Sequence, residues 1–371
     1  MKKDYNSIIQ YIWKCYEKQN FNEKEFMFYK TRKEKGQHRA GIYMTDNQKY
    51  FFKIMRKDEY NNEELISKKI SPDFRIVPKY DQMIFDDCVI VLYEYVDTTH
   101  INSFNFLRSK AVSMEEKKQA LNLFFHNKYL LLEKTMYTDK VTNHQKADRW
   151  FWDRIKPGER VDKFYGTNGE QLINDMKNVF PDGVEQMKSF LNNIYLYLQQ
   201  EHFTVFSYSH GDFHDFNFSL NGLFWDVDTF DYNPILNDFA VFYWHFYARE
   251  DSLIYKYSPW LTLYMYNQLK VEELEQIREL KKETILEWYD HIYRAFEQYN
   301  LLDELNNEFI FKLFCRMFLI DNVTTYDTED KLNVYQFFDY VLQNREKNLK
   351  EILFSNPVAF PFRDNLDSKT L

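Results

Sequence analysis

The sequence contains few cysteines and few glycines, and both shortages exclude kinds of site. Cys15, Cys88 and Cys315 have no short paired spacing, which argues against a disulfide framework and against a zinc knuckle. Of the 8 glycines only Gly36 and Gly41 lie near the first predicted hairpin, so that hairpin has no glycine-rich loop of the kind that cradles phosphates. The cysteines are therefore expected to be buried, reduced thiols.

Net positive charge and long apolar runs are also missing. The 57 acidic and 48 basic residues give a net charge of -9, which argues against binding of nucleic acid or acidic lipid through clustered Lys and Arg. No window approaches about 20 uninterrupted apolar residues, and no apolar signal region is present. We therefore expect a cytoplasmic protein without nucleic-acid or membrane partners. The oligomeric state is left open, and so is an acidic pocket for a cationic ligand.

What is present is the composition of a large globular protein. Hydrophobic residues make up 44% of the chain and aromatic residues 19%, which is enough for a large packed interior. A chain of 371 residues exceeds the size of a typical single core. Two domains are therefore expected.

Residues 1–96 predict a small sheet with one helix. Aromatic and aliphatic segments separated by turn-prone dipeptides predict an antiparallel meander at residues 25–32, 40–45 and 49–55. A helix is predicted over residues 58–70, and two more strands at residues 82–85 and 89–95. These elements form the predicted amino-terminal lobe.

Residues 97–371 predict a mostly helical lobe. Ser113 and Glu116 have the spacing of a capping box at the start of an apolar run. Apolar periodicity predicts further helices over residues 184–200, 235–247 and most of 261–349. Because no linker-like tract separates the last helices from the rest, we expect them to belong to the same lobe.

The dipeptide Asn221-Gly222 lies between two apolar runs within this lobe. Asn-Gly in such a setting is the strongest short hairpin signal, so residues 216–220 and 223–228 are predicted to pair as strands. The hairpin would carry acidic and amide side chains on both arms.

Two carboxylates and an amide converge in this segment: Asp212, Asn217 and Asp226. Phosphoryl transfer requires a divalent cation that bridges the donor phosphates and a carboxylate that positions the attacking hydroxyl. An Asp, an Asn five residues later and an Asp on the next strand meet both needs. The pattern therefore predicts Mg²⁺-dependent phosphoryl transfer.

The motifs resemble those of the aminoglycoside phosphotransferase and choline kinase family, which includes the type II homoserine kinases. The resemblance is carried by three motifs in the family's order: His210-Gly-Asp212-x-x-x-x-Asn217, Trp225-Asp226-Val-Asp228 and Asn237-Asp238-Phe-Ala240. It implies an α+β, protein-kinase-like fold of two lobes with the nucleotide between them. By the same resemblance Asp212 is the catalytic base, and Asn217 and Asp226 bind Mg²⁺.

The resemblance extends into the amino-terminal lobe, which it makes the nucleotide-binding lobe. Lys53 fits the strand lysine that holds the donor's phosphates. Its acidic partner is expected on the following helix, where Glu63 fits the packing register best and Glu64 nearly as well. The hinge that meets the adenine would be formed by Glu94, Tyr95 and Val96.

Other positions near the catalytic loop are given secondary roles. His210 and Asp238 are expected to support the loop. His214, Asp215 and Asp228 are candidates for contacts with the acceptor or the loop. The departure from the family is a short interval between Asn217 and Asp226, which the tight Asn-Gly turn can absorb.

These residues predict a small-molecule kinase that uses ATP, or GTP, to phosphorylate a small, amino-bearing alcohol such as an antibiotic, a choline-like or a homoserine-like compound. The acceptor is inferred from acidic residues (Asp215, Asp228, Asp231, Glu250) and aromatic residues (Trp225, Trp244, Tyr247) near the loop. Residues suggested as walls of its pocket are Tyr289, Asp290, His291, Arg316 and Asp321.

Two alternatives remain. A catalytically silent binding or coat protein could share the same fold, since fold does not fix function. His210, Asp212 and His245 could instead be the two-His, one-carboxylate triad of a non-haem iron oxygenase. The helical pattern after residue 231 argues against the second alternative, because such ligands belong on a double-stranded sheet.

Overall fold

The computed structural model describes residues 4–18, 20–28, 40–69, 75–96, 102–141, 170–214, 217–225, 230–248, 271–318 and 328–354. The chain divides into two compact units, Met1–Asn102 with Asn221–Asp228, and Ser103–Leu220 with Thr229–Leu371. An antiparallel sheet dominates the first unit and helices dominate the second, so the predicted α+β class is confirmed. In the residues described, no helix is long and apolar enough to cross a membrane.

The described strands are β1 (Phe26–Phe28), β2 (Ala40–Met44), β3 (Lys49–Arg56), β4 (Arg75–Ile76), β5 (Lys79–Ile84), β6 (Cys88–Glu94), β7 (Tyr137–Lys140), β8 (Phe203–Ser209), β9 (Leu223–Phe224) and β10 (Asp231–Pro234). The described α-helices are α1 (Tyr5–Glu17), α2 (Lys57–Lys69), α3 (Ser103–Arg108), α4 (Met114–Thr135), α5 (Glu170–Val179), α6 (Val184–Gln199), α7 (Ile235–Phe242), α8 (Val271–Gln298), α9 (Leu302–Met317), α10 (Thr328–Gln343) and α11 (Leu349–Phe354). A 3₁₀ turn covers Pro181–Gly183, and a π-helical turn covers Tyr243–Ala248.

The first unit is built on a five-stranded antiparallel sheet in the order β1-β2-β3-β6-β5. This sheet contains the meander and the later strand pair that the sequence predicts, and α2 follows β3 as predicted. Helix α1, which the sequence analysis did not predict, buries Ile9 and Ile12 against Phe52 and Ile90 of the sheet. Burial of each isoleucine stabilises the unit by about 1.5–3 kcal/mol.

The predicted Asn-Gly hairpin differs from the observed pairing. Strand β9 pairs in parallel with β4, where Arg75 lies opposite Leu223 and Ile76 opposite Phe224. The N–H of Arg75 also donates to the carbonyl of Gly222 at 2.8 Å. The turn prediction assumed a local partner for the strand, whereas the observed partner lies far away in the sequence.

The second unit combines helices with a small sheet. Helix α4 begins at the predicted capping box, with Ser113 and Glu116 bonded reciprocally. Strands β10, β8 and β7 form a three-stranded antiparallel sheet that the sequence analysis did not predict. Helix α7 follows β10 and packs against α9. The last described helices therefore lie in the same unit as the loop that follows β8.

Candidate active site

The candidate catalytic loop begins where β8 ends, at Ser209. Gly211 has a φ of 81°, in the left-handed region that residues with a Cβ rarely adopt. Phe213 anchors the loop in the protein interior, because its ring is fully buried and stacks on the ring of Phe218, with 4.5 Å between the centroids. The loop thus has a fixed entry, a glycine turn and an apolar anchor.

Asp238, near the start of α7, holds the first part of this loop. Its Oδ1 accepts the N–H of Gly211 at 2.7 Å, and its Oδ2 accepts the N–H of His210 at 3.3 Å. Lys128 of α4 lies 2.9 Å from Oδ2, and both side chains of this ion pair are largely buried. The Lys128 ammonium also lies 4.0 Å from the centre of the Phe213 ring. These contacts suit the loop-supporting position that the sequence suggests for Asp238.

Asp212 and Asn217 lie together in the buried part of the loop. The Asn217 amide nitrogen donates to the carbonyl of Asp212 at 3.1 Å, and the N–H of His214 donates to the same carbonyl at 3.0 Å. Asp212 is 7% exposed and Asn217 is 6% exposed. The side-chain nitrogen of Asn217 is used in its hydrogen bond to Asp212, so the side-chain oxygen is the atom that could bind a cation.

Arg316 of α9 forms an ion pair with Asp212, a contact between residues 104 positions apart. The sequence suggested Arg316 only as a wall residue, since no local signal links it to the loop. Burial alone would raise the pKa of Asp212, but the charges of Arg316 and His214 outweigh it and hold that pKa below the usual range for aspartate. The carboxylate is therefore ionised although it is largely buried.

Two histidines flank Asp212. The N–H of Asp212 donates to Nδ1 of His210 at 3.3 Å, so His210 contributes to the shape of the turn. Nε2 of His214 lies 3.7 Å from Oδ2 of Asp212, and the His214 ring lies 5.2 Å from that of His245. Across the described ranges no group of three or more His, Cys, Asp or Glu side chains could hold a metal ion, which leaves the iron-triad alternative without support.

Asp215, Asp226 and Asp228 lie outside the described residues. Of the two magnesium ligands that the resemblance implies, Asn217 is therefore the one whose surroundings are known. Its amide oxygen is a hard ligand of the type that Mg²⁺ prefers, and it lies in the same turn as the Asp212 carboxylate. The described member of this pair, Asn217, is thus of a residue type that can bind a magnesium ion.

In the first unit Lys53 of β3 pairs with Glu63 of α2, at 3.8 Å between Nζ and Oε2. Glu63 is 2% exposed and has two further partners: the Tyr93 hydroxyl donates to its Oε1 at 2.5 Å, and Lys79 lies 3.6 Å from the same atom. Glu64 instead pairs with Lys79. The two glutamates that the sequence left as alternatives thus share Lys79 as a partner, and Glu63 also pairs with Lys53.

The predicted hinge residues close β6. Glu94 is exposed, and its N–H donates to the carbonyl of Pro78 at 2.9 Å, so this amide is used within the unit. Tyr95 is half-buried, with Lys49 5.3 Å from its ring centre. Val96 is half-buried as well. The backbone groups of Tyr95 and Val96 are the better candidates for contact with a base.

Most of the residues suggested as acceptor walls make other contacts. Tyr289 bonds to Asn348, Asp290 pairs with Lys350, and His291 pairs with Glu133. Asp321 and Glu250 lie outside the described residues. Trp244 is fully buried against Phe337, so the suggestion that it stacks on a cationic acceptor was wrong. Arg316 is the suggested wall residue that contacts the loop in the part of the chain described.

No protein-family model matches the chain. No curated protein matches it by sequence. Solved structures similar to it include an aminoglycoside-3'-phosphotransferase of type VIII, at 11% identity and a TM-score of 0.35, with 70% of this chain and 94% of that chain covered. A glucosamine kinase is similar at 9% identity and a TM-score of 0.37, with 86% of this chain and 78% of that chain covered. A glucosamine kinase in complex with glucosamine, ADP and inorganic phosphate is similar at 9% identity and a TM-score of 0.38, with 86% of this chain and 78% of that chain covered. Likenesses at this level assign no activity or substrate to this chain.

Proposed function

We propose that the protein is a magnesium-dependent small-molecule kinase that transfers the γ-phosphate of ATP, or of GTP, to a hydroxyl group. The observation that carries the proposal is the buried loop around Asp212. Asn217 donates a hydrogen bond to the backbone carbonyl of Asp212, and Asp238 accepts hydrogen bonds from the N–H groups of the two residues that precede Asp212. Such a loop keeps a carboxylate and an amide oxygen in fixed positions, as phosphoryl transfer requires.

Asp212 accepts the proton of the attacking hydroxyl, or orients that hydroxyl as the new bond forms. Asn217 and Asp226 would hold Mg²⁺, which neutralises the charge of the donor phosphates when bound. Lys53 would bind those phosphates, with Glu63 keeping its ammonium in place. The backbone at Tyr95 and Val96 would contact the base of the nucleotide.

The acceptor is a small, amino-bearing alcohol in this proposal. The net charge of -9 and the acidic residues along the loop sequence support a cationic ligand. An antibiotic, a choline-like compound or a homoserine-like compound would each satisfy this chemistry.

The test is a panel of these alcohols with neutral sugars as comparison, assayed with MgATP and MgGTP for nucleotide consumption and by mass spectrometry for an added phosphate. Asp212→Asn should lower transfer by about 10³-fold or more, because a carboxylate that acts on the reacting hydroxyl cannot be replaced by an amide. Asp139→Asn, which removes an exposed carboxylate of β7, is the matched control and should retain activity. Equal activity of the two variants would refute the assignment, and nucleotide binding without turnover would favour a silent binding protein.

Lys53→Met tests the donor side. Loss of the ammonium should raise the KM for the nucleotide, since a charge that contacts the phosphates is gone. Lys57→Met, at an exposed position next to the same strand, provides the control. A KM unchanged by Lys53→Met would exclude this lysine from nucleotide binding.

A further inference from the structure

Arg316 lies in the last turn of α9, with only 4% of the residue exposed. Its guanidinium reaches Oδ1 of Asp212 in the loop that follows β8. The two residues belong to one compact unit, so the contact is part of that unit's packed interior. A cation in this position is costly to bury unless it pairs with an anion, and Asp212 supplies that anion.

The two oxygens of Asp212 have different surroundings. Oδ1 accepts the bond from Arg316. Oδ2 faces Nε2 of His214 at 3.7 Å, which is beyond hydrogen-bonding distance. Since Arg316 fixes one oxygen, the plane of the carboxylate is fixed too, and Oδ2 is the oxygen that can still accept a hydrogen bond from an incoming hydroxyl.

We propose that Arg316 is a positioning residue for phosphoryl transfer, which orients Asp212 so that Oδ2 faces the acceptor hydroxyl. This inference rests on the proposed kinase function and names a further residue for the same site. Arg316 acts through Asp212 and does not touch the reacting atoms. A planar guanidinium holds a carboxylate oxygen in a defined direction, which a lysine ammonium does less well.

Lys312 provides a matched control on the same helix. It lies one turn before Arg316, is 1% exposed, and has Glu308 as a neighbouring charge. Lys312→Met therefore removes an equally buried cation of α9 that is not placed at the catalytic loop. Any loss of function that comes merely from removing a buried charge should appear in this variant as well.

The experiment compares Arg316→Met, Arg316→Lys and Lys312→Met with the wild type, using hydrolysis of MgATP and transfer to the best alcohol of the panel. We expect Arg316→Met to lower kcat by about 100-fold, because a misplaced reacting group costs about that factor. The affinity for ADP, measured by calorimetry, should change by less than about threefold, since the proposed role of Arg316 is to orient Asp212 and not to bind the nucleotide. Arg316→Lys should recover about tenfold of the lost kcat by keeping the charge, and Lys312→Met should stay within about threefold of the wild type.

A double variant distinguishes action through Asp212 from a separate role. If Arg316 only orients Asp212, adding Arg316→Met to Asp212→Asn should lower kcat no further than about threefold. A further large loss would overturn the inference, as would an Arg316→Met variant with normal kcat or a Lys312→Met variant with the same loss. These outcomes leave the kinase function standing, provided that the wild type turns over. A wild type without turnover on the whole panel would overturn the proposed function and this inference with it.

Discussion

Glu308 should make the stability of the second unit depend on pH. This residue of α9 is 1% exposed, and the Thr204 hydroxyl donates to its Oε2 at 2.5 Å. Burial raises the pKa of Glu308 to about 7, although the positive charge of Lys312 opposes the rise. Its ordinary value, expected in the unfolded chain, is 4.5.

The direction follows from proton binding in the two states. Between pH 4.5 and about 7 the folded protein keeps a proton on Glu308 that the unfolded chain has released. The contribution to the free energy of unfolding is therefore complete below pH 4.5 and is lost as the pH rises to about 7. A difference of about 2.5 pKa units corresponds to about 3 kcal/mol.

Glu308→Gln removes the titrating group and keeps the side-chain size. The free energy of unfolding of this variant minus that of the wild type should increase with pH, by up to about 3 kcal/mol between pH 5 and pH 8. The increase arises because the wild type loses stability over this range and the variant does not. Urea unfolding followed by far-ultraviolet circular dichroism measures the difference, because the second unit is mainly helical. Glu351→Gln, on an exposed position of α11, is the control for loss of a surface carboxylate. A difference between Glu308→Gln and the wild type that does not vary with pH would refute the reasoning.

Three further predictions concern packing in the first unit, at Ile12, and support of the candidate loop in the second unit, at Lys128 and Gly211. Ile12→Ala should lower the free energy of unfolding of the first unit by about 2–5 kcal/mol, measured by denaturant titration, because the side chain is fully buried against the sheet. Lys128→Met should lower the free energy of unfolding by about 3–5 kcal/mol, because it leaves Asp238 buried without its cation, and an unchanged Tm would contradict this. Gly211→Ala should lower the free energy of unfolding by about 1–2 kcal/mol, because the φ of Gly211 is 81° and residues with a Cβ are strained in this region. The Gly211→Ala variant should also lose turnover, which a stable variant with normal kcat would disprove.

The proximity of Asp212 and Asn217 could be predicted because the two residues are close in the sequence. Asp212 and Asn217 are five positions apart, and a side-chain-to-backbone hydrogen bond joins them within one turn. The strand position of Lys53 and the helix that follows it were equally local signals. The choice between Glu63 and Glu64 was not local, since it depends on the rotation of α2 against β3 and on Lys79 and Tyr93.

Features that depend on distant partners could not be predicted. The Arg316 contact spans 104 residues, and a buried arginine near the end of an amphipathic helix has no distinctive sequence pattern. The parallel partner of β9 is similarly distant, so the strong local signal of Asn221-Gly222 led to the wrong pairing. Helix α1 did have a local signal, because Ile8, Ile9 and Ile12 have the spacing of one apolar helix face and Asp4 caps the first turn, but the sequence analysis did not use it.

The position of Arg316 has a consequence for the order in which the protein becomes functional during synthesis. The loop with Asp212 leaves the ribosome long before α9 does, and until then the carboxylate lacks the cation with which it is buried. A nascent chain that ends before residue 316 would therefore leave the Asp212 carboxylate without this cation. The ion pair between Asp212 and Arg316 forms only when most of the second unit has been made. If the proposed kinase function holds, we therefore expect a chain truncated before α9 to lack activity, even though it contains every motif of the candidate loop.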